Sequence, residues 1–125
     1  MGEIMKGLIK RRKIDFSFED ERGYLKQISH ENYGQVNVLF TKRGVKRGNH
    51  YHKVSTEYFF VISGSVNITV KQGEVIETEV FTSGDFFEIS PNIIHSMDFI
   101  EDCIMVAMYD KCVEKSDGTK DIYTE

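Results

Sequence analysis

The sequence predicts an all-β domain, a sandwich or barrel, on three observations. From Lys13 onward it reads as short alternating or wholly apolar runs, turn residues separate those runs, and helical spacing is absent. Strands are expected at 13–18, 24–28, 35–41, 49–53, 57–63, 65–71, 74–80, 86–89, 95–100 and 103–109.

Several of these runs carry more than their existence. Ser65 to Lys71 alternates, so Val66, Ile68 and Val70 face one way and Asn67, Thr69 and Lys71 the other, which gives a strand with one wet face. After Glu57, Tyr58-Phe59-Phe60-Val61-Ile62 is apolar on both faces, as a strand between two layers would be, and is expected at the centre of a sheet. Gln72-Gly73 closes a tight hairpin, because glycine adopts a positive φ without steric cost. The domain is expected over 13–110. Residues 1–12 form an N-terminal segment and a candidate exchanged strand, with Lys10-Arg11-Arg12-Lys13 read mostly as solvated. Residues 111–125 are polar and charged and read as a surface tail or flap outside the core.

Composition bounds the function. The 125 residues suffice for one domain, and 40% hydrophobic with 12% aromatic side chains fill a packed core. A formal charge of −4 disfavours a nucleic-acid partner held by phosphate neutralisation. No apolar run approaches the roughly 20 residues of a spanning helix, and the first residues lack a signal-peptide core, so no membrane association and a cytoplasmic address are expected. Cys103 and Cys112 are spaced too widely for a C-x-x-C motif and are expected to be reduced.

The chemistry concentrates in four residues. His50 and His52 lie two apart on one strand, so their imidazoles project to the same face from Cα atoms about 6.6 Å apart. With Glu57 on the next strand and His95 on a third, three neutral nitrogen donors and one carboxylate suit Zn²⁺, Fe²⁺, Mn²⁺ or Ni²⁺, with positions left open. Arg22, Lys42, Arg43, Lys46 and Arg47 make a cationic set near that cluster that could hold a small anion, and arginine offers forked donors to anionic oxygens. Gln35 and Asn37 present two amides to one face of their strand.

Gly44, five residues, His50-x-His52, four residues, Glu57, six residues, Gly64 resembles the first cupin motif. Gly84, five residues, Ser90-x-Asn92, two residues, His95 resembles the second. The second departs from the usual pattern at Ser90, Asn92 and Phe99, where Pro, Gly and Asn are common. Asn92 tolerates the left-handed conformation of the glycine it replaces. The resemblance implies a double-stranded β-helix, or jelly roll.

A narrower likeness runs through Asp20-Glu21-Arg22-Gly23, Gln35-x-Asn37 and Gly44-Val45-x-Arg47-Gly48-x-His50-Tyr51, which is similar to the dTDP-4-dehydrorhamnose 3,5-epimerases. The stretch Arg47-Gly48-Asn49-His50-Tyr51-His52 looks still more like the zinc-containing epimerase cupin of bifunctional capsular-polysaccharide enzymes. It is also similar to the nucleotide-sugar 3,4-ketoisomerases. The resemblance implies an isomerase that epimerises a nucleotide-linked 4-keto-6-deoxy sugar at C3, C5 or both in surface polysaccharide biosynthesis.

By the same resemblance His50 is the base, Arg22 and Arg47 grip the diphosphate, Gln35 and Asn37 contact the sugar or nucleobase, and His50, His52, Glu57 and His95 hold the metal. An imidazole nitrogen bound to metal cannot take a proton, so the two roles of His50 compete. Tyr109 and Tyr33 are the acid candidates. A homodimer and a separate reductase are the expected protein partners. The alternatives are a 3,4-ketoisomerase, against which the lack of a tyrosine on strand 35–41 counts, a metal- or sugar-binding cupin without catalysis, and an iron dioxygenase.

Overall fold

The computed structural model describes residues 7–125, and the first six residues of the N-terminal segment lie outside that range. Twelve strands run in the order β1 (Ile9–Arg12), β2 (Phe16–Asp20), β3 (Gly23–Gln27), β4 (Gln35–Thr41), β5 (Lys46–Tyr51), β6 (Glu57–Ser63), β7 (Ser65–Gln72), β8 (Val75–Thr82), β9 (Phe86–Ile89), β10 (Ile94–Phe99), β11 (Cys103–Tyr109) and β12 (Tyr123–Thr124). One five-stranded sheet has the order β1-β9-β6-β11-β4 and the other β12-β5-β10-β7-β8, while β2 and β3 form a separate hairpin. All pairings among the described strands are antiparallel. The expected all-β double-stranded β-helix is what the chain forms.

The core lies between the two sheets. Phe59 and Val61 of β6, Phe87 of β9 and Met105 of β11 meet Val66, Ile68 and Val70 of β7 and Phe81 of β8, all buried. As its two apolar faces predict, β6 is the middle strand of its sheet. Its outer-facing Tyr58 and Phe60 join Phe86 and Met108 under Ile14, Ile28 and Tyr33. That second cluster seats the base of the β2–β3 hairpin on the outside of the first sheet.

Two terminal segments differ from expectation. The Lys10–Lys13 run is exposed apart from half-buried Arg12, yet it is no free arm: Ile9 is buried, β1 pairs with β9, and two arginines cover the barrel edge. Arg11 bridges Glu79 and Asp85 and lies 4.4 Å over the Phe81 ring, while Arg12 bridges Glu31 and Glu88. Charge periodicity concealed this strand, since its guanidinium groups are paired at the barrel edge and its only deeply buried side chain is Ile9.

The 111–125 stretch is likewise more than a polar tail. Val113 belongs to the core and Asp121 is fully buried. Lys115 to Gly118 turns the segment back through a Glu114–Lys120 bridge, and β12 then pairs with β5.

Candidate functional site

Strand β5 carries an irregularity that prepares the site. Arg47 pairs with Met97 and His50 with His95, so two residues, Gly48 and Asn49, stand where regular pairing has one. Residues three apart on a regular strand face opposite ways. The bulge absorbs the extra residue, and Arg47 and His50 pair with inward-facing residues of β10. Gly48 has φ +100° and a Cβ there would lie 2.8 Å from the His95 carbonyl oxygen, while Asn49 takes φ +69°. Asn92 has φ +67°, as expected of a residue standing where glycine is usual, and its N–H donates to the His52 carbonyl.

His50 and His52, from β5 and the loop after it, meet Glu57 at the start of β6 and His95 on β10. One potential ligand atom from each lies within 4.8 Å of the others. Glu57 Oε1 is 3.1 Å from His52 Nε2 and 3.2 Å from His95 Nε2. These three side chains are buried, whereas His50 is half-buried and borders the other two imidazoles edge to face. The four residues that the sequence grouped are thus brought together.

Electrostatics follow from this packing. Burial opposes charge on Glu57, but the adjoining His52 and His95 imidazoles outweigh it and hold the carboxyl down to about 2. For His52, burial is likewise overcome by Glu57 and by the Asp121 carbonyl, and its pKa rises. Burial, helped by the neighbouring imidazoles, lowers His50 to about 4 and leaves it neutral at pH 7. Burial and the Glu57 charge keep the Tyr109 hydroxyl protonated far into the alkaline range.

The donor set suits a divalent cation. His52 Nδ1 faces the Asp121 carbonyl at 2.6 Å and His95 Nδ1 faces the Ile93 carbonyl at 3.3 Å, so both must carry their proton there and turn Nε2 to Glu57. His95 Nε2 is buried without a hydrogen-bond partner, its Glu57 contact being out of line. Zinc bonds of about 2.1 Å at tetrahedral angles set ligand atoms about 3.4 Å apart, near the 3.1 and 3.2 Å found around Glu57.

The other expected site residues divide. Tyr109 faces Glu57 and Gln35 across the neighbouring strands, with its ring edge-on to His52 at 5.5 Å. Arg47 lies at the mouth and donates its Nε–H to Thr41 Oγ1 at 2.9 Å. Asn37, opposite Ala107, shares the inward face of β4 with Gln35 and is exposed. Gln35 spends its carbonyl oxygen on the Val113 N–H at 2.9 Å, so it holds the C-terminal segment.

Arg22 is not brought to this cluster within the chain. It sits exposed at the turn of the β2–β3 hairpin, bound to Asp20 at 2.6 Å. Tyr33 also lies elsewhere, on the outer cluster against Tyr58. Both cysteines are free. Sequence reading missed Thr41 and Asp121, which have no distinguishing spacing; only the folded pairings bring them to Arg47 and His52.

A jelly roll with three histidines and one glutamate converging inside it defines a cupin-fold protein with a metal-competent centre. The polysaccharide biosynthesis C-terminal domain model matches residues 18–115, and the chain belongs to that family. No curated protein matches the sequence.

Solved structures share the fold. QdtA, a sugar 3,4-ketoisomerase from Thermoanaerobacterium thermosaccharolyticum in complex with TDP, superposes with a TM-score of 0.80 at 17% identity over 97% of this chain and 90% of that one. The dTDP-4-dehydrorhamnose 3,5-epimerase from Sulfolobus tokodaii gives 0.67 at 18% identity over 82% and 75%. The capsular polysaccharide assembling protein CapF from Staphylococcus aureus gives 0.66 at 22% identity, covering 87% of this chain and 33% of that one. No described helix is long and apolar enough to cross a membrane.

Proposed function

We propose that this chain is an isomerase that epimerises a nucleotide-linked 4-keto-6-deoxy sugar at C3, C5 or both. The observation that carries the reading is the contrast within the cluster. His52, Glu57 and His95 are buried and mutually engaged, while His50 is half-buried and neutral, and its imidazole makes no hydrogen bond among the described residues.

That contrast separates the competing roles of His50. A His₂Glu set from His52, His95 and Glu57 is a known zinc ligand combination, and it leaves His50 available to take a proton from the carbon beside the ketone. Those three residues would hold a divalent cation, which would supply positive charge for the enolate oxygen. Zinc is the first choice by donor type. Arg47 grips the diphosphate at the mouth, and Asn37 meets the sugar or base. Tyr109, protonated beside Glu57, is the acid candidate.

A 3,4-ketoisomerase is the second reading, favoured by the higher TM-score to QdtA. Against it, β4 carries no tyrosine. A second copy of this chain is the expected partner: Val36, Val38 and Phe40 line the outer face of edge strand β4 and are more than half exposed.

The test is incubation with a TDP-linked 4-keto-6-deoxy sugar in D₂O, with and without chelator. Deuterium at the carbon beside a ketone that stays at C4 is the expected result. A ketone appearing at C3 selects the second reading, and binding without exchange overturns both in favour of a non-catalytic cupin.

A further inference from the structure

The C-terminal segment ends its path against the metal-competent cluster, and we propose that Asp121 is a positioning residue that fixes the His52 imidazole for cation binding. This rests on the proposed metal centre for its purpose, but its structural content is separable. Asp121 is completely buried, yet among the described residues no lysine, arginine or histidine pairs with its carboxylate. The charge is instead held by four donors from one short loop: the N–H groups of Lys53 at 2.8 Å, Val54 at 3.1 Å and Ser55 at 2.9 Å, and the Ser55 hydroxyl at 3.0 Å. Three successive N–H groups converging on one carboxylate form an anion nest.

With its side chain clamped, residue 121 can present its backbone carbonyl in only one direction. That carbonyl lies 2.6 Å from His52 Nδ1, and a carbonyl only accepts. A proton must therefore sit on Nδ1, and Nε2 is the nitrogen turned to the Glu57 side, its lone pair open to a cation in the neutral imidazole. The two other imidazoles do not depend on the segment in this way. His95 uses the Ile93 carbonyl two residues away, and no side-chain hydrogen bond ties His50.

The anchor has its own supports. Asp121 N–H donates to the Val113 carbonyl at 2.8 Å, Val113 is in the core, and its N–H donates to Gln35 Oε1. The Ser55 hydroxyl also lies 3.2 Å from the Lys111 carbonyl, a second acceptor within reach of its one proton. Residues 111–125 thus act as a strap that ties β4, the 53–55 loop and β5 around one imidazole.

The experiment compares wild type, Asp121→Ala and Ser55→Ala. Long-range ¹H–¹⁵N spectra of metal-free protein, recorded above the His52 titration, report each imidazole's tautomer, and competition against a chromophoric chelator gives zinc affinity. Near-UV circular dichroism checks the fold.

The expected result is loss of the fixed Nδ1–H tautomer at His52 but not at His95, with zinc affinity lower by about 10- to 100-fold in Asp121→Ala. Ser55→Ala, which removes one donor of four, should give a smaller loss and decides the matter if Asp121→Ala does not fold. A folded variant that keeps the His52 tautomer overturns the proposal, as does an equal disturbance of His95. If wild type binds no zinc, the metal reading fails while the tautomer spectra still decide the role of Asp121.

Discussion

Arg47 donates its Nε–H to the hydroxyl of Thr41 across 2.9 Å, which joins β5 of one sheet to β4 of the other at the open side of the barrel. Thr41 is buried and Arg47 exposed, so the bond holds the base of the guanidinium and leaves its terminal nitrogens toward solvent. A fork held at its stem is suited to two oxygens of a diphosphate.

Arg47→Lys removes the fork and keeps the charge. TDP affinity by calorimetry should fall about tenfold, with little change in thermal stability because the side chain is exposed. Thr41→Val should cost only a few-fold. Unchanged TDP binding in Arg47→Lys would locate the diphosphate elsewhere.

Glu57→Gln keeps the shape of the cluster but deletes the charge that faces His52 and His95. Zinc stoichiometry should collapse under mild dialysis. Without metal, breaking one side of this buried arrangement should cost roughly 3 kcal/mol or more, read from the urea midpoint. Full zinc retention would contradict the assignment of Glu57 as a ligand.

Metal-free protein should be most stable near pH 6.5. His50 is lowered to about 4, so between its ordinary 6.5 and that value the unfolded chain holds a proton that the folded chain does not, and stability falls as the pH is lowered through that range. Glu57, held at about 2 against an ordinary 4.5, adds stability above 4.5 that is lost on descending toward 2. His52 is raised, so its contribution is complete below 6.5 and lost as pH rises through its folded value. Melting temperatures in chelator across pH 3 to 9 test this, and His50→Asn should flatten the limb between 6.5 and 4.

Gly48→Ala should be far costlier than Gly73→Ala. Both glycines have positive φ, but a Cβ at Gly48 meets the His95 carbonyl oxygen at 2.8 Å while one at Gly73 meets nothing within 4 Å. The second change should cost about 1–2 kcal/mol, or several degrees of melting temperature, and the first at least twice that with loss of metal binding. Equal losses would mean that the bulge relaxes freely.

If the exposed face of β4 meets a second copy, Val38→Glu should give a monomer by light scattering with an intact circular dichroism spectrum. A wild-type monomer at micromolar concentration would remove the dimer.

The strand pattern and the four-residue cluster were legible because each depends on local spacing. Period-two alternation exposes β7, doubled apolarity exposes the central β6, and His50-x-His52 with Glu57 keeps its ligands close in sequence. What escaped was set by distant pairing. The arginines of β1 look solvated until Glu79, Asp85, Glu31 and Glu88 are folded against them, and Asp121 looks like any tail carboxylate until the 53–55 loop closes on it. The bulge lay between these cases, since Gly48-Asn49 advertises a left-handed turn without saying which strand faces it.

Strand β1 has a thermodynamic consequence of its own. Its contacts are with β9, Phe81, Glu79 and Asp85, and every one of them would be identical if the strand came from a second molecule. Only the short connection through Lys13 and Asp15 distinguishes the two arrangements. A tethered strand competes at an effective concentration of about millimolar, so exchange between molecules is governed by protein concentration and by strain in three linking residues rather than by the quality of the interface.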